Sequence, residues 1–217
     1  MSRDLERRVA VVTGGGGRLG QAIVMELARG GAAVGILDAR SDAGDRLAPA
    51  VRDLGVGFAS ATADVASAAE VDGALDAIER ELGPADILVN AHGIFPNRPV
   101  LEMDDEEWDR VFDVNTRGTM FTCRAFARRL VARKAPGAIV NVSSGAATSA
   151  RAGGAHYTGS KAAVNMLTHV LAIELGPLGI RVNAVAPGLV LDDVLREGDP
   201  WNEFPTIATG PAAAAPA

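Results

Sequence analysis

The sequence predicts an α/β fold, a doubly wound parallel sheet with helices on both faces. Three observations predict it. Short apolar runs alternate with longer stretches of helical spacing from Val9 to Val185, and that alternation implies right-handed βαβ units. The apolar residues are mainly aliphatic: 48% of the chain is hydrophobic and 4% aromatic, a balance that suits strands buried on both faces. A run of glycines, Gly14–Gly17, stands where the first apolar run meets the first helical stretch.

Each element follows in chain order. Val9–Thr13 is a β-branched run and reads as the first strand. The helical stretch Leu19–Arg29 comes after the glycines and is closed by Gly30-Gly31. Ala33–Leu37 is the second strand, a helix lies near Asp42–Leu54, and Val56–Ala61 is a weaker third run. Ser67–Leu82 carries Val71, Leu75, Ile78 and Leu82 at helical spacing, with a serine cap before it and a glycine stop after it. Ile87–Asn90 is the fourth strand. Asp104–Arg133 reads as one helical region whose acidic start, Asp104–Glu107, suits the helix dipole. Ala138–Val142, a helix over Tyr157–Leu175 and a strand over Ile180–Val185 complete the pattern.

The chain divides into one domain over residues 1–196 and a loop and flexible tail over 197–217, a segment with four prolines and no amphipathic period. A length of 217 residues fits a single domain. The net charge of −6 comes without a basic block, which argues against nucleic acid and anionic membranes as partners. The single cysteine, Cys123, excludes an intrachain disulfide and a cysteine-cluster metal site; it reads as a packing residue, and no metal set is recognisable. No apolar run approaches the ~18 residues of a membrane span, and Met1–Arg8 is too charged for a signal peptide. The expected location is cytoplasmic.

Three constellations carry chemistry. The first is Thr13-Gly14-Gly15-Gly16-Gly17-Arg18-Leu19-Gly20 between a strand and a helix. Glycines there allow a tight turn and close approach of backbone to a pyrophosphate, and the helix start offers free N–H groups. Asp38 ends the second strand 18 residues after Gly20, where a carboxylate binds ribose hydroxyls; alone it would equally cap a helix. The second is Tyr157 and Lys161, one turn apart on a helix face. A phenol of pKa about 10 is a poor proton carrier at neutral pH, and a nearby ammonium favours its phenolate. The third is Ser143-Ser144 at the end of the fifth strand, where open α/β sheets bind ligands; alone, either serine reads as a turn residue.

Taken with Asp64-Val65, Asn90-Ala91-His92-Gly93, Asn115, Ile139–Ser144 and Asn183…Pro187-Gly188, these motifs resemble the classical short-chain dehydrogenase/reductases from about Arg7 to Val194. The resemblance implies a Rossmann-like sheet in the order 3-2-1-4-5-6, without the usual seventh strand. It implies Tyr157 as acid–base, Lys161 as its ammonium partner and a ligand of the nicotinamide ribose, and Ser144, 13 residues before Tyr157, as a hydrogen-bond donor to the reacting oxygen. Asn115 would order a proton-relaying water. Gly14, Gly17, Arg18, Leu19, Gly20, Asp38, Asp64, Val65, Asn90, Gly93, Pro187, Gly188 and Val190 would bind the cofactor. The chain departs from the family at Arg18, usually glycine, at His92, and at Asp192, usually threonine.

The expected function is NAD(P)-dependent interconversion of a secondary alcohol and a ketone, either a small one or a 3-oxoacyl thioester. Asp38 favours NAD, with NADP as the second candidate. The competing expectation is a dinucleotide-binding protein with little or no turnover, because the C-terminal substrate region is short. His92 reads as a structural residue beside the crevice. Apolar residues lie on nearly every side of the Tyr157 helix and recur in the helix before it, so a homodimer or homotetramer is expected. Trp201 and Phe204 are assigned either to a partial lid or to the sheet edge.

Overall fold

A computed structural model describes residues 4–188 and 190. Six strands form one sheet in the order β3-β2-β1-β4-β5-β6: β1 Val9–Thr13, β2 Ala33–Asp38, β3 Phe58–Thr62, β4 Ile87–Asn90, β5 Gly137–Val142 and β6 Ile180–Val185. All five pairings are parallel. Every strand therefore points its carboxyl end at the same edge, where β1, β4 and β5 end in Thr13, Asn90 and Val142. The order reverses between β1 and β4, and that switch point opens the crevice.

Helices α1 (Arg18–Arg29) and α2 (Ala43–Arg52) cover one face; α3 (Ala68–Leu82), α5 (Gly118–Ala132) and α6 (Ala155–Leu175) cover the other. On the second face Val11, Leu88, Ile139 and Val182 meet Leu75, Ile78, Phe126 and Leu130. On the first, Val12, Val34 and Ile36 meet Val24, Ala28, Leu47 and Val51. The aliphatic composition is spent on these two layers. β6 shows the asymmetry: Ile180 and Val182 are buried toward α6, while Arg181, Asn183 and Val185 are exposed on the other side.

The structure corrects one element. The expected helix over Asp104–Arg133 is α4 (Asp105–Phe112), a π-helical turn Asp113–Arg117 and α5. The turn holds one extra residue because Asn115 bonds outward to Ile94 and Ser160, contacts that local helix propensity does not encode. Smaller shifts accompany it: β3 starts at Phe58, two residues after the expected start, and α6 starts at Ala155, two residues before it. Ser67 caps α3 as expected, accepting from the Glu70 amide. Residues 191–217, with Asp192, Trp201, Phe204 and the tail boundary, lie outside the described residues. Among the described residues no helix is long and apolar enough to cross a membrane.

Candidate active site

The glycine turn forms because Thr13 ends β1 and Gly14 takes φ +65, a conformation costly for residues with a Cβ. The turn is closed by Gly17 N–H on the Gly14 carbonyl at 2.9 Å and by Gly14 N–H on Leu37 at 2.7 Å. Gly17 occupies the cap position of α1, no side chain caps it, and the start of the helix faces the crevice. Asp38 is buried at the end of β2 and accepts from the amides of Gly16 at 2.8 Å and Arg40 at 2.9 Å. It does not cap a helix; Asp42 occupies the cap position of α2.

Asp38, Arg40, Asp64, Val65, Gly93 and Ile94 line a cavity of about 310 Å³ that also includes Gly14 and Gly17. Arg110, which the sequence reading did not single out, joins them. Its guanidinium pairs with the Asp64 carboxylate at 3.0 Å. Partial burial raises the Asp64 pKa, but the Ala66 amide and Arg110 outweigh it and hold the carboxyl below its usual value. No signal in α4 marks Arg110; its meaning comes from an acid 46 positions earlier.

A second cavity, about 530 Å³, joins the first at His92 and Gly93. Ser144, Tyr157, Lys161, Pro187, Gly188 and Val190 line it beside Arg18, Leu19 and Gly20. Here the strand ends of β5 and β6 meet α6. Ser144 Oγ accepts from the Ala146 amide at 3.1 Å, which holds it at the start of a short 3-10 turn. Tyr157 sits in the first turn of α6, its ring edge-on to Phe95 at 6.2 Å and under the Arg151 guanidinium at 5.9 Å. Arg18 reaches the Val190 carbonyl at 3.5 Å across the mouth.

Lys161 is buried and donates to the Val142 carbonyl at 2.8 Å. Burial lowers its pKa to about 8. Asn115 is fully buried: its Oδ1 accepts from Ile94 N–H at 2.9 Å, and its amide donates to Ile94 O at 2.9 Å and Ser160 Oγ at 3.0 Å. A Cβ on Gly93 would lie 3.2 Å from Asn115 Oδ1 and 3.4 Å from Lys161 Nζ, so both polar groups face the space that the bare glycine leaves open. Asn90 faces the layer behind this site. Its amide donates to Asn141 Oδ1 at 2.8 Å, and Thr122 donates to its Oδ1 at 2.7 Å. Asn90 thus stitches β4 to β5 and α5 and takes no place on either cavity wall. Cys123 packs beside it, and burial pushes its thiol up to about 12, which leaves no thiolate for chemistry.

The family model for short chain dehydrogenases matches residues 8–203. The chain belongs to the short-chain dehydrogenase/reductase family. Among curated relatives, the short-chain reductase protein NovJ of Streptomyces niveus is 40% identical over 192 residues, covering 88% of this chain and 72% of that one. D-threitol dehydrogenase of Mycolicibacterium smegmatis is 37% identical, covering 88% and 73%. Among solved structures, an NAD+-bound xylitol dehydrogenase superposes with a TM-score of 0.81 at 34% identity, covering 85% of this chain and 71% of that one. As a short-chain dehydrogenase/reductase the chain is an NAD(P)-dependent oxidoreductase. The residues present fit a dinucleotide: an uncapped helix start, a buried carboxylate at the second strand end, and two joined cavities along one crevice.

Proposed function

We propose that the chain interconverts a secondary alcohol and a ketone, with NAD preferred over NADP. The observation that carries the reading is that Ser144, Tyr157 and Lys161 line one cavity with the start of α1. The cofactor, when bound, supplies or accepts the hydride. Tyr157 exchanges a proton with the reacting oxygen, and Ser144 donates a hydrogen bond to that oxygen. Lys161 supports the phenolate and holds ribose hydroxyls; it is buried, so its charge acts at short range and in low dielectric. Asn115 orders the proton-relaying water beside Lys161.

The remaining cofactor assignments follow the two cavities. Asp38 binds the adenosine ribose and repels a 2′-phosphate; Arg40, 3.3 Å from it, limits that repulsion. Asp64 and Val65 flank the adenine, the glycine turn with Arg18 and Leu19 holds the pyrophosphate, and Pro187, Gly188 and Val190 lie along the nicotinamide.

Assembly through α5 and α6 into a homodimer or homotetramer belongs to the same reading. Ile173 and Met166 on α6 are 76% and 62% exposed, and Val170 on α6 and Val131 on α5 are exposed as well, a concentration of large apolar side chains that favours burial against a second copy.

Initial rates with a panel of secondary alcohols, ketones and 3-oxoacyl thioesters, each with NAD(H) and NADP(H), test the proposal. It expects turnover of at least one pair, faster with NAD(H). NAD binding with no turnover on any member would favour a cofactor-binding protein instead.

A further inference from the structure

We propose that His92 is a positioning residue that couples the glycine turn to the π turn carrying Asn115. The inference deepens the proposed function and rests on it. His92 lines both cavities and is 8% exposed. Its two ring nitrogens reach opposite walls of the crevice. Nδ1 lies 2.6 Å from Thr13 Oγ1, at the end of β1, and Nε2 lies 3.3 Å from Thr119 Oγ1, in the first turn of α5.

The partners decide which nitrogen carries the hydrogen. A threonine hydroxyl has one hydrogen to give. Thr119 gives its hydrogen to the Asn115 carbonyl at 2.7 Å, so toward the ring it can only accept. His92 therefore carries its hydrogen on Nε2, and Nδ1, 2.6 Å from Thr13 Oγ1, takes the Thr13 hydrogen ahead of Asn90 Oδ1, which lies 3.3 Å away and already accepts from Thr122. The chain runs in one direction: Thr13 to His92, His92 to Thr119, Thr119 to Asn115. A neutral ring is required, and burial with the Lys161 charge outweighs the ring's contact with the Val114 backbone in the π turn and the Asp64 charge, holding the imidazole at about 3, far below its usual value. His92 contributes geometry and no proton.

Backbone packing reinforces both ends. A Cβ on Gly14 would meet His92 Cα at 2.7 Å and His92 N at 2.9 Å, so the glycine turn rests on the His92 main chain. At the far end the missing side chain of Gly118 leaves room for Nε2, 3.3 Å from where a Cβ would be. The π turn in turn sets two catalytic neighbours. Asn115 grips both main-chain polar groups of Ile94, two residues after His92, and bonds Ser160 Oγ, which donates to the Tyr157 carbonyl at 2.7 Å. A displacement of the glycine turn thus has a hydrogen-bonded route to the turn behind Tyr157 and Lys161. An alanine at this position would leave Thr13 and Thr119 without this link.

Three variants separate this role from simple packing. An asparagine side chain reaches as far as Nδ1, and a glutamine side chain as far as Nε2. His92→Asn keeps the Thr13 link and loses Thr119; His92→Gln does the reverse; His92→Ala loses both. The measurements are NADH affinity by calorimetry without substrate, amide hydrogen exchange over residues 113–119 with and without NADH, kcat on a turned-over alcohol, and melting temperature. His92→Asn is expected to keep NADH affinity within about twofold, to lose the NADH-induced protection of 113–119, and to lower kcat about tenfold, the size of one buried hydrogen bond. His92→Gln is expected to weaken NADH about tenfold, with kcat at saturating cofactor falling less. His92→Ala should show both losses. The proposal is overturned if NADH affinity and protection stay within about twofold of wild type in all three, or if Asn and Gln variants lose both in proportion to melting temperature. The affinity and exchange arms need no substrate, so absence of turnover would count against the alcohol–ketone reading and leave this coupling to be decided separately.

Discussion

The Lys161 ammonium donates to the Val142 carbonyl across 2.8 Å, tying the second turn of α6 to the last residue of β5. Ser143 Oγ returns the tie by donating to the Lys161 carbonyl at 3.3 Å. Tyr157 and Ser144, each next to one end of this pair, share one wall of the crevice as a result.

Lys161 gives the fold a measurable pH dependence. Its pKa falls from 10.5 to about 8 on burial. Below about pH 8 the folded state holds a buried ammonium that the unfolded state hydrates, so the group opposes folding; above about 10.5 both states are neutral and the opposition is gone. Stability from this group therefore rises with pH between those values. Urea unfolding at pH 7 and 9.5 is expected to show wild type gaining about 2 kcal/mol more than Lys161→Met over that interval. Parallel changes in the two proteins would show that the ammonium is not buried as described.

The proposed contact of Asp38 with the adenosine ribose makes a prediction about cofactor choice. Removing its carboxylate in Asp38→Ala deletes the acceptor for Gly16 N–H along with the proposed ribose contact. We expect kcat/KM for NAD to fall at least about tenfold and that for NADP to hold or rise, since a hydrogen bond to a charged group is worth about 1.5–3 kcal/mol. A wild-type enzyme that prefers NADP tenfold would remove the basis of this assignment.

The glycine turn tolerates no side chain at its first position. Gly14→Ala combines a positive φ with contact against the His92 main chain. A loss of about 2 kcal/mol or more is expected in urea unfolding, with weaker NADH binding. An alanine variant as stable as wild type would mean that the turn takes another conformation.

Much of this was legible in the chain because strands buried on both faces declare themselves. Ile87–Asn90 and Ile180–Val185 begin and end in the structure where their apolar runs do in the sequence. The glycine turn, Asp38 and the Tyr157/Lys161 spacing were equally plain, because each is a local pattern. The π turn was not: Asp113–Arg117 continues the helical spacing of its neighbours, and its extra residue is imposed by partners at positions 94 and 160. Arg110 and the two-sided grip on His92 were hidden for the same reason. Thr13, His92 and Thr119 are far apart in sequence and meet only because β1 and β4 are adjacent and α5 packs behind them. Asn90 shows the converse, a motif residue whose side chain faces the sheet and not the crevice.

Assembly is testable at one position. Ile173 is the most exposed large apolar residue of α6. Light scattering at micromolar concentration is expected to give a dimer or tetramer for wild type and a smaller species for Ile173→Asp. A wild-type monomer would contradict the assembly through α5 and α6.

The central claim is that Tyr157 carries the proton in an alcohol–ketone interconversion. Tyr157→Phe removes the hydroxyl and keeps the ring that packs against Phe95 and Arg151, while the glycine turn and Asp38 stay in place. Measuring kcat and NADH affinity on the same preparation of this variant tests the claim most directly. The account predicts loss of turnover by about a hundredfold or more, the scale of a general acid–base contribution, with NADH affinity within about threefold of wild type. Retention of a tenth or more of wild-type kcat would contradict it.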